Sequence, residues 1–508
     1  MKKSIASLLS LLFLCTMLVG AVHAESDLPP LTVSVAFVDS GMWDTNPDNS
    51  AFGKLLKEKF NLEVDPIALT WGDWKEKTSM WAASGQMPDY TLTFTDYFIW
   101  RDQEVSLGFP VSTFDEYPNL KDRVPANILP YLVDEDGLVY GVPRSMWRNS
   151  SSPIAAQGLY VNKEYLEMAG LDEPPTTLDG WFDFLKKAVD EDFSGKGTLG
   201  ISADANIPAS LITRTPFIGT TTWLKEDGQW ILPELSKNNI EVLEFGRKLY
   251  QAGIIDRDIA TRKGGDIDNL FNEGRLVAMQ SNSDCDMMLR WIGPESQLAS
   301  DWTVLTYGPA SPVDGKHYHP AQSNYDGVMA FNPDISPEKM ERILMVQDWA
   351  CSPEGEAFVT FGVEGVHYQV NDDGSYENLC KTADGSLQAF WIHEPFTMFG
   401  RFVPTWNFEF AVTSPLHPKA NLEMAQSYLD VLRANATIAD ANWGIVYHSS
   451  EERNNMPSIT ADYVALYLTL IANDEDIPAA YEAFREQAMV KVGAAVEETN
   501  MFAAEQGW

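Results

Sequence analysis

Residues 31–94 switch repeatedly between two side-chain periodicities, and this limits the fold more than any other feature of the sequence. Residues 31–38 and 62–67 carry β-branched and apolar side chains at strand spacing, as do 90–94, while 51–60 and 73–84 repeat apolar positions at helical spacing. Strands separated by helices need crossover connections, which implies βαβ units and a mostly parallel sheet, an α/β class. A polar loop over 39–50, containing Trp43, follows the first strand. The middle is more helical: 176–189 is expected to be a helix capped by Thr176 or Thr177, with Trp181, Phe184, Leu185 and Ala188 on its inner stripe, and 240–251 is another. A strand returns at 327–331, and Pro337 starts a helix that runs to Ala350. Residues 421–432, 459–471 and 479–500 read as helices, with no internal repeat and no low-complexity tract.

The first residues point to export. Lys2 and Lys3 precede an apolar run over 5–22, and Val22-His23-Ala24 offers small residues where a signal peptidase reads them, so residues 1–24 are expected to be a secretory signal and Glu25 the mature start. Leu14 stands before Cys15, where an acylated lipoprotein needs a small residue, so an unacylated product is expected. The remaining chain, cut from 508 residues, is too long for one ordinary core, so two or more lobes are expected. The net charge is −37, and −39 once Lys2 and Lys3 leave, which repels phosphate backbones and excludes nucleic acid as a natural partner. Cys285, Cys351 and Cys380 are odd in number and lack metal-type spacing; they are expected to pack as thiols.

Several segments then resemble one family. Ala82-Ala83-Ser84-Gly85-Gln86-Met87-Pro88-Asp89 is similar to the A-S-G-x-x-P-D turn of extracellular solute-binding proteins, and Val139-Tyr140-Gly141-Val142-Pro143 to their Y-G-x-P strand. Residues 159–166, then Gly170 to Thr177, resemble the entry into the second lobe, and 271–279 resembles F-x-x-G-(K/R)-x-A-M. Ser352-Pro353-Glu354-Gly355 followed by Phe361-Gly362-Val363-Glu364-Gly365-Val366-His367-Tyr368 is similar to the signature of the large family 1 members, the oligosaccharide receptors of ATP-binding-cassette importers. The resemblance covers most of 30–370, and 380–508 in layout only. It implies a two-lobed, periplasmic-binding-protein type II fold with a hinge and an interlobe ligand cleft. The implied division is 25–150 plus 320–370 for one lobe and 151–319 plus 371–508 for the other. The implied partners are an oligosaccharide and importer transmembrane subunits, with the receptor itself a monomer outside the cytoplasm. Many relatives carry a calcium loop after the helix that corresponds to 176–190. Here Lys196 sits among the would-be ligands and the trailing acids are missing, so neither a metal nor any other cofactor is expected.

Catalytic patterns are weak. Gly195-Lys196-Gly197-Thr198-Leu199-Gly200 fits a dinucleotide fingerprint by letter, but a helix precedes it and a strand follows, the reverse of what that site needs. His317 and His319 are expected to be an ordinary hydrogen-bonded surface pair, His393-Glu394-Pro395 cannot continue as a zinc-binding helix, and no G-x-S-x-G is present. Aromatics are the informative excess. Trp81, Trp181 and Trp349 lie on helical stripes and are expected in cores, whereas Trp43, Trp71, Trp147, Trp223, Tyr325, Trp391 and Trp406 fall in loops. Flat C–H faces of sugar rings pack on such side chains, and hydroxyls require planar partners, for which Asp96, Arg144, Asp326 and Arg401 are the candidates. Trp223 and Trp406 are the pair expected to stack on sugar; the competing expectation for each is a core ring. The competing functions are a secreted glycoside hydrolase and a sensor that presents sugar to a membrane kinase.

Overall fold

A computed structural model describes residues 28–38, 40–70, 72–94, 97–145, 157–263, 265–285, 287–288, 303–321, 325, 327–381, 385, 387, 414–438 and 441–508. The expected signal, 1–24, lies outside the described residues. Strand β1 (Leu31–Ala36) is followed by helix α1 (Ala51–Phe60), strand β2 (Leu62–Pro66), helix α2 (Trp74–Ser84) and strand β3 (Tyr90–Thr93). β1 pairs in parallel with both β2 and β3. α1 starts where Ser50 Oγ accepts from Gly53 N at 2.9 Å and stops where Asn61 enters the left-handed region at φ 44°.

Two further strands complete this sheet. Val328–Phe331 lies antiparallel to β3, and Val142–Pro143 lies antiparallel to Val328–Phe331 on its other side. Neither arrives through a crossover helix of this layer, so the expected parallel order stops at three strands. Gly327 is what lets the returning strand in: at φ 104°, a Cβ there would meet Thr93 O at 2.4 Å. Val33, Val35, Phe37, Tyr90, Met329 and Phe331 form the first core with Ile343, Leu344 and Val346 of the Pro337–Ala350 helix, which Ser336 caps. Full burial of each such aliphatic side chain contributes roughly 1.5–3 kcal/mol. Cys351 and Trp349 pack at its edge.

A second core is built from other segments. Strands Ala278–Asn282 and Thr303–Thr306 flank Gln157–Asn162, both antiparallel to it. Helix Leu178–Asp190, capped by Thr177 Oγ1 on Gly180 N, buries Trp181, Phe184, Leu185 and Ala188, the expected stripe. Helix Asn239–Gln251 buries Val242, Leu243 and Leu249. The two C-terminal helices, Thr460–Ala472 and the 30-residue Ile477–Gln506, close this core with Tyr463, Tyr467 and Tyr481. Helix Lys419–Asn435 adds Ala425, Tyr428 and Leu429 to a satellite that contains Cys285. The chain therefore passes between the two cores three times: between 143 and 157, between 306 and 328, and between 361 and 419. Among the described residues, no helix is long and apolar enough to cross a membrane.

The histidine pair departs from expectation. His317 Nδ1 lies 3.0 Å from Gly308 O, but His319 is buried, with Nε2 3.0 Å from Gln157 O and 3.5 Å from Tyr428 OH. His319 is therefore a core residue rather than a surface one, while His317, on the same strand, is half-buried.

Candidate functional site

Open α/β sheets bind ligands beyond the carboxyl ends of their strands. In the second core, Leu199 and Ile201 make parallel bridges to Leu276 and Ile255, so these runs leave the sheet at one end. Gln157 opposite Asn282 brings the start of an antiparallel strand to the same end. The concavity at this end measures ≈ 440 Å³, within the size range of small-molecule sites. Gln157, Asp204, Asn206, Ser210, Asp268 and Gln280 are among the side chains that line it.

The amides in this cavity are held in place. Gln280 Oε1 accepts from Leu211 N at 2.8 Å and from Ser210 Oγ at 3.2 Å, and its Nε2 donates to Gln157 Oε1 at 2.6 Å. Asn206 Oδ1 accepts from Ile207 N at 2.8 Å, which leaves its amide nitrogen as a donor. Asp204 is exposed on the 202–210 loop. Partial burial first, then the neighbouring carboxylates of Asp268 and Asp266, push its carboxyl above the usual aspartate range. Deeper in, Ser202 Oγ donates to Asp256 Oδ2 at 2.9 Å. Burial opposes the Asp256 charge, but Arg262, the Asp258 N–H and the Ser202 hydroxyl hold that carboxyl below its ordinary value. Ala205 and Ala209 both adopt positive φ, 47° and 41°, in this loop. Alanine there is strained, by roughly 1–2 kcal/mol each, and such strain gathers at functional positions.

A second concavity, ≈ 430 Å³, lies where the first core meets the C-terminal segment. Tyr447 stacks on Tyr131 at 6.3 Å and on Trp443 at 6.0 Å, and meets Tyr325 edge-on at 5.4 Å. Polar contacts cross the same junction: Arg101 Nη2 donates to Ser449 Oγ at 2.7 Å, and Asn454 Nδ2 donates to Asp102 Oδ2.

The structure separates the expected site residues. Tyr325 joins the aromatic junction just described. Arg144 is fully buried at the end of the first sheet, its N–H donating to Gly327 O at 2.9 Å, with its charge close enough to Tyr90 to act on it. Trp43 is only 8 % exposed and packs on Phe37 at 5.6 Å, inside the first core. Trp223 is only 6 % exposed, packed with Trp230, Ile445 and Val492, and the Arg453 guanidinium covers its ring at 4.6 Å. Neither of these two indoles presents an open face, so the geometry corrects the cleft-facing expectation for both in favour of core packing. Trp71, Asp96, Trp147, Asp326, Trp391, Arg401 and Trp406 lie outside the described residues.

No protein-family model matches the chain. Over 351 residues it is 25% identical to the polygalacturonan/rhamnogalacturonan-binding protein YtcQ of Bacillus subtilis (strain 168), a span of 66% of this chain and 67% of that one. It is 22% identical over 353 residues to lipoprotein LipO of the same strain, covering 66% and 68% of the two chains. Among solved structures, the alginate-binding protein AlgQ2 without calcium ion superposes with a TM-score of 0.70 over 94% of this chain and 99% of that one, at 15% identity. The Streptococcus pneumoniae ABC-transporter substrate-binding protein FusA in complex with kestose gives 0.68 over the same shares, at 16% identity. This chain has the fold of the two-lobed extracellular solute-binding proteins.

In this solute-binding fold the loop after the Leu178–Asp190 helix is closed by hydrogen bonds. Asp192 Oδ1 accepts from Gly197 N at 3.0 Å, Thr198 N at 2.8 Å and Thr198 Oγ1 at 2.9 Å. The Thr198 hydroxyl, its N–H and the Gly197 N–H hold the Asp192 carboxyl below its ordinary value. Among the described residues, no group of three or more His, Cys, Asp or Glu is placed to hold a metal. Asp204, Asn206, Gln157 and Gln280 of the cavity wall, and Tyr131, Trp443 and Tyr447 of the junction, were not among the residues singled out from the sequence. Only the last two carried a local signal, an aromatic pair four apart on a short helical turn.

Proposed function

We propose that this protein is an exported, non-catalytic receptor that captures an oligosaccharide between its lobes and delivers it to the transmembrane subunits of an ATP-binding-cassette importer. The observation that carries this reading is the fold match over 94% of the chain to an alginate-binding protein and to a substrate-binding protein in complex with kestose. Kinship with a protein named for binding polygalacturonan and rhamnogalacturonan supports it. The polar cavity at the strand ends and the aromatic junction supply the two kinds of contact that a sugar needs. In this reading Trp71, Trp147, Trp391 and Trp406 stack on sugar rings. Asp96, Asp326 and Arg401 bond hydroxyls, and Tyr325 works through its aromatic neighbours, whereas Arg144 is buried away from any ligand. The receptor acts as a monomer on the outer side of the membrane. Calorimetric titration of the chain from Glu25 with oligosaccharide pools tests the reading, with chromatography of the same samples after prolonged incubation. Saturable one-to-one binding with the sugar recovered intact is expected. Product in excess of protein would replace the receptor by a hydrolase.

A further inference from the structure

The relative YtcQ and the neighbour AlgQ2 are named for polymers rich in carboxylated sugars. The wall at the strand ends of the second core has a different chemistry. Its fixed amides leave donors at Gln157 and Asn206, and Asp204 supplies an acceptor that carries charge. No lysine or arginine is among the described residues that line this cavity. The carboxylates that surround Asp204 already oppose its ionisation, so a further anion placed there would be repelled by all of them. A sugar hydroxyl both donates and accepts, and it matches alternating amide donors and carboxylate acceptors without a charge penalty.

Resting on the receptor reading above, we infer that the ligand segment seated on this wall is an uncharged, polyhydroxylated saccharide, and that the wall selects against uronate sugars. The inference does not depend on which neutral sugar is bound. It depends on Asp204 standing at the ligand, in a cavity whose other described side chains are neutral or acidic.

The test uses the chain from Glu25 and matched sugars that differ in charge. Oligogalacturonates are compared with their carboxyl-reduced counterparts, mannuronate oligomers with manno-oligosaccharides, and glucuronate-branched xylo-oligosaccharides with unbranched ones, by calorimetric titration. In whichever pair binds, the neutral member is expected to bind at least about tenfold more tightly, the scale of one unfavourable like-charge contact at a partly exposed site. Asp204→Asn should narrow that gap, and Asp204→Lys should close or reverse it. A denaturant melt of each variant establishes that it is folded; if Asp204→Lys is not, the narrowing in Asp204→Asn decides. A uronate member that binds as tightly as its neutral partner, or a gap that Asp204→Asn leaves unchanged, overturns the inference while leaving the receptor reading intact. Tighter binding of glucosamine oligomers than of their N-acetylated forms also overturns it, in favour of a cationic ligand. If no member of any pair binds, the oligosaccharide reading falls, and this inference falls with it.

Discussion

Trp223 shows what a local stretch of sequence can and cannot say. It follows a loop of small residues, where a ring facing a cleft is a natural expectation. Apart from Trp230, the residues that bury it, Ile445, Arg453 and Val492, come from more than 200 positions away, and nothing near Trp223 announces them. Trp223→Ala is therefore expected to cost about 3–5 kcal/mol of stability, as for other large core rings, with affinity per folded molecule unchanged. A denaturant melt beside a titration checks both halves. Asp204 was equally silent: an exposed aspartate in an acidic chain carries no mark until Gln157, Asp268 and Gln280 converge on it. Its carboxyl is raised, so its contribution to stability is present below the ordinary value of 3.8 and is lost as pH rises through the raised one. Asp204→Asn should accordingly stabilise the unliganded protein at neutral pH. The gain should be at most about 0.5 kcal/mol, because solvent screens an exposed group, and it should vanish in acid. Melting temperatures of the two proteins across that range provide the comparison.

At the scale of elements the sequence was more explicit. The helix Leu178–Asp190 follows from Thr177 as its cap and from Trp181, Phe184, Leu185 and Ala188 on one face, because capping and periodicity are local properties. β1, α1, β2, α2 and β3 were legible for the same reason. The antiparallel entry of Val328–Phe331 was not, since strand direction depends on where the chain has been in the meantime. The loop that follows Leu178–Asp190 lies between these cases. Its missing acids argued against calcium, and the structure adds that Asp192 already receives the loop's own N–H groups. A chelator is expected to leave the melting temperature unchanged, with or without added Ca²⁺, and a fall that Ca²⁺ restores would contradict this. Asp192→Ala should lower the melting temperature, since Gly197 N and Thr198 N lose their acceptor. The same change should also remove a part of the acid sensitivity: a depressed carboxyl contributes stability above its ordinary pKa that is lost as pH falls through the folded value.

Across the whole molecule, sequence kinship and shape cover different spans. Identity to the Bacillus relatives extends over 66% of the chain, whereas the superposition on solved structures covers 94%. Helix Ile477–Gln506 must present Tyr481, Ala488, Val492 and Val496 inward, and many sequences satisfy that demand. Its place is nonetheless structural. The single proton of Tyr481 OH is shared between Ser236 O at 2.6 Å and Glu234 O at 2.9 Å, which fixes the helix to the second core. Removal of residues 477–508 is expected to unfold that core, seen as loss of the near-ultraviolet signal from buried Trp181 and its tyrosines and as rapid proteolysis.

The three passages of the chain between the cores also bear on how such a molecule would leave a cell. The first sheet cannot acquire its fourth strand before Val328–Phe331 is made, and the second core lacks its last two helices until residues 472 and 506 have been synthesised. Contacts this distant in sequence form slowly. Neither core can therefore close until late in synthesis, so a chain exported as proposed would still be threadable when it meets a translocation channel.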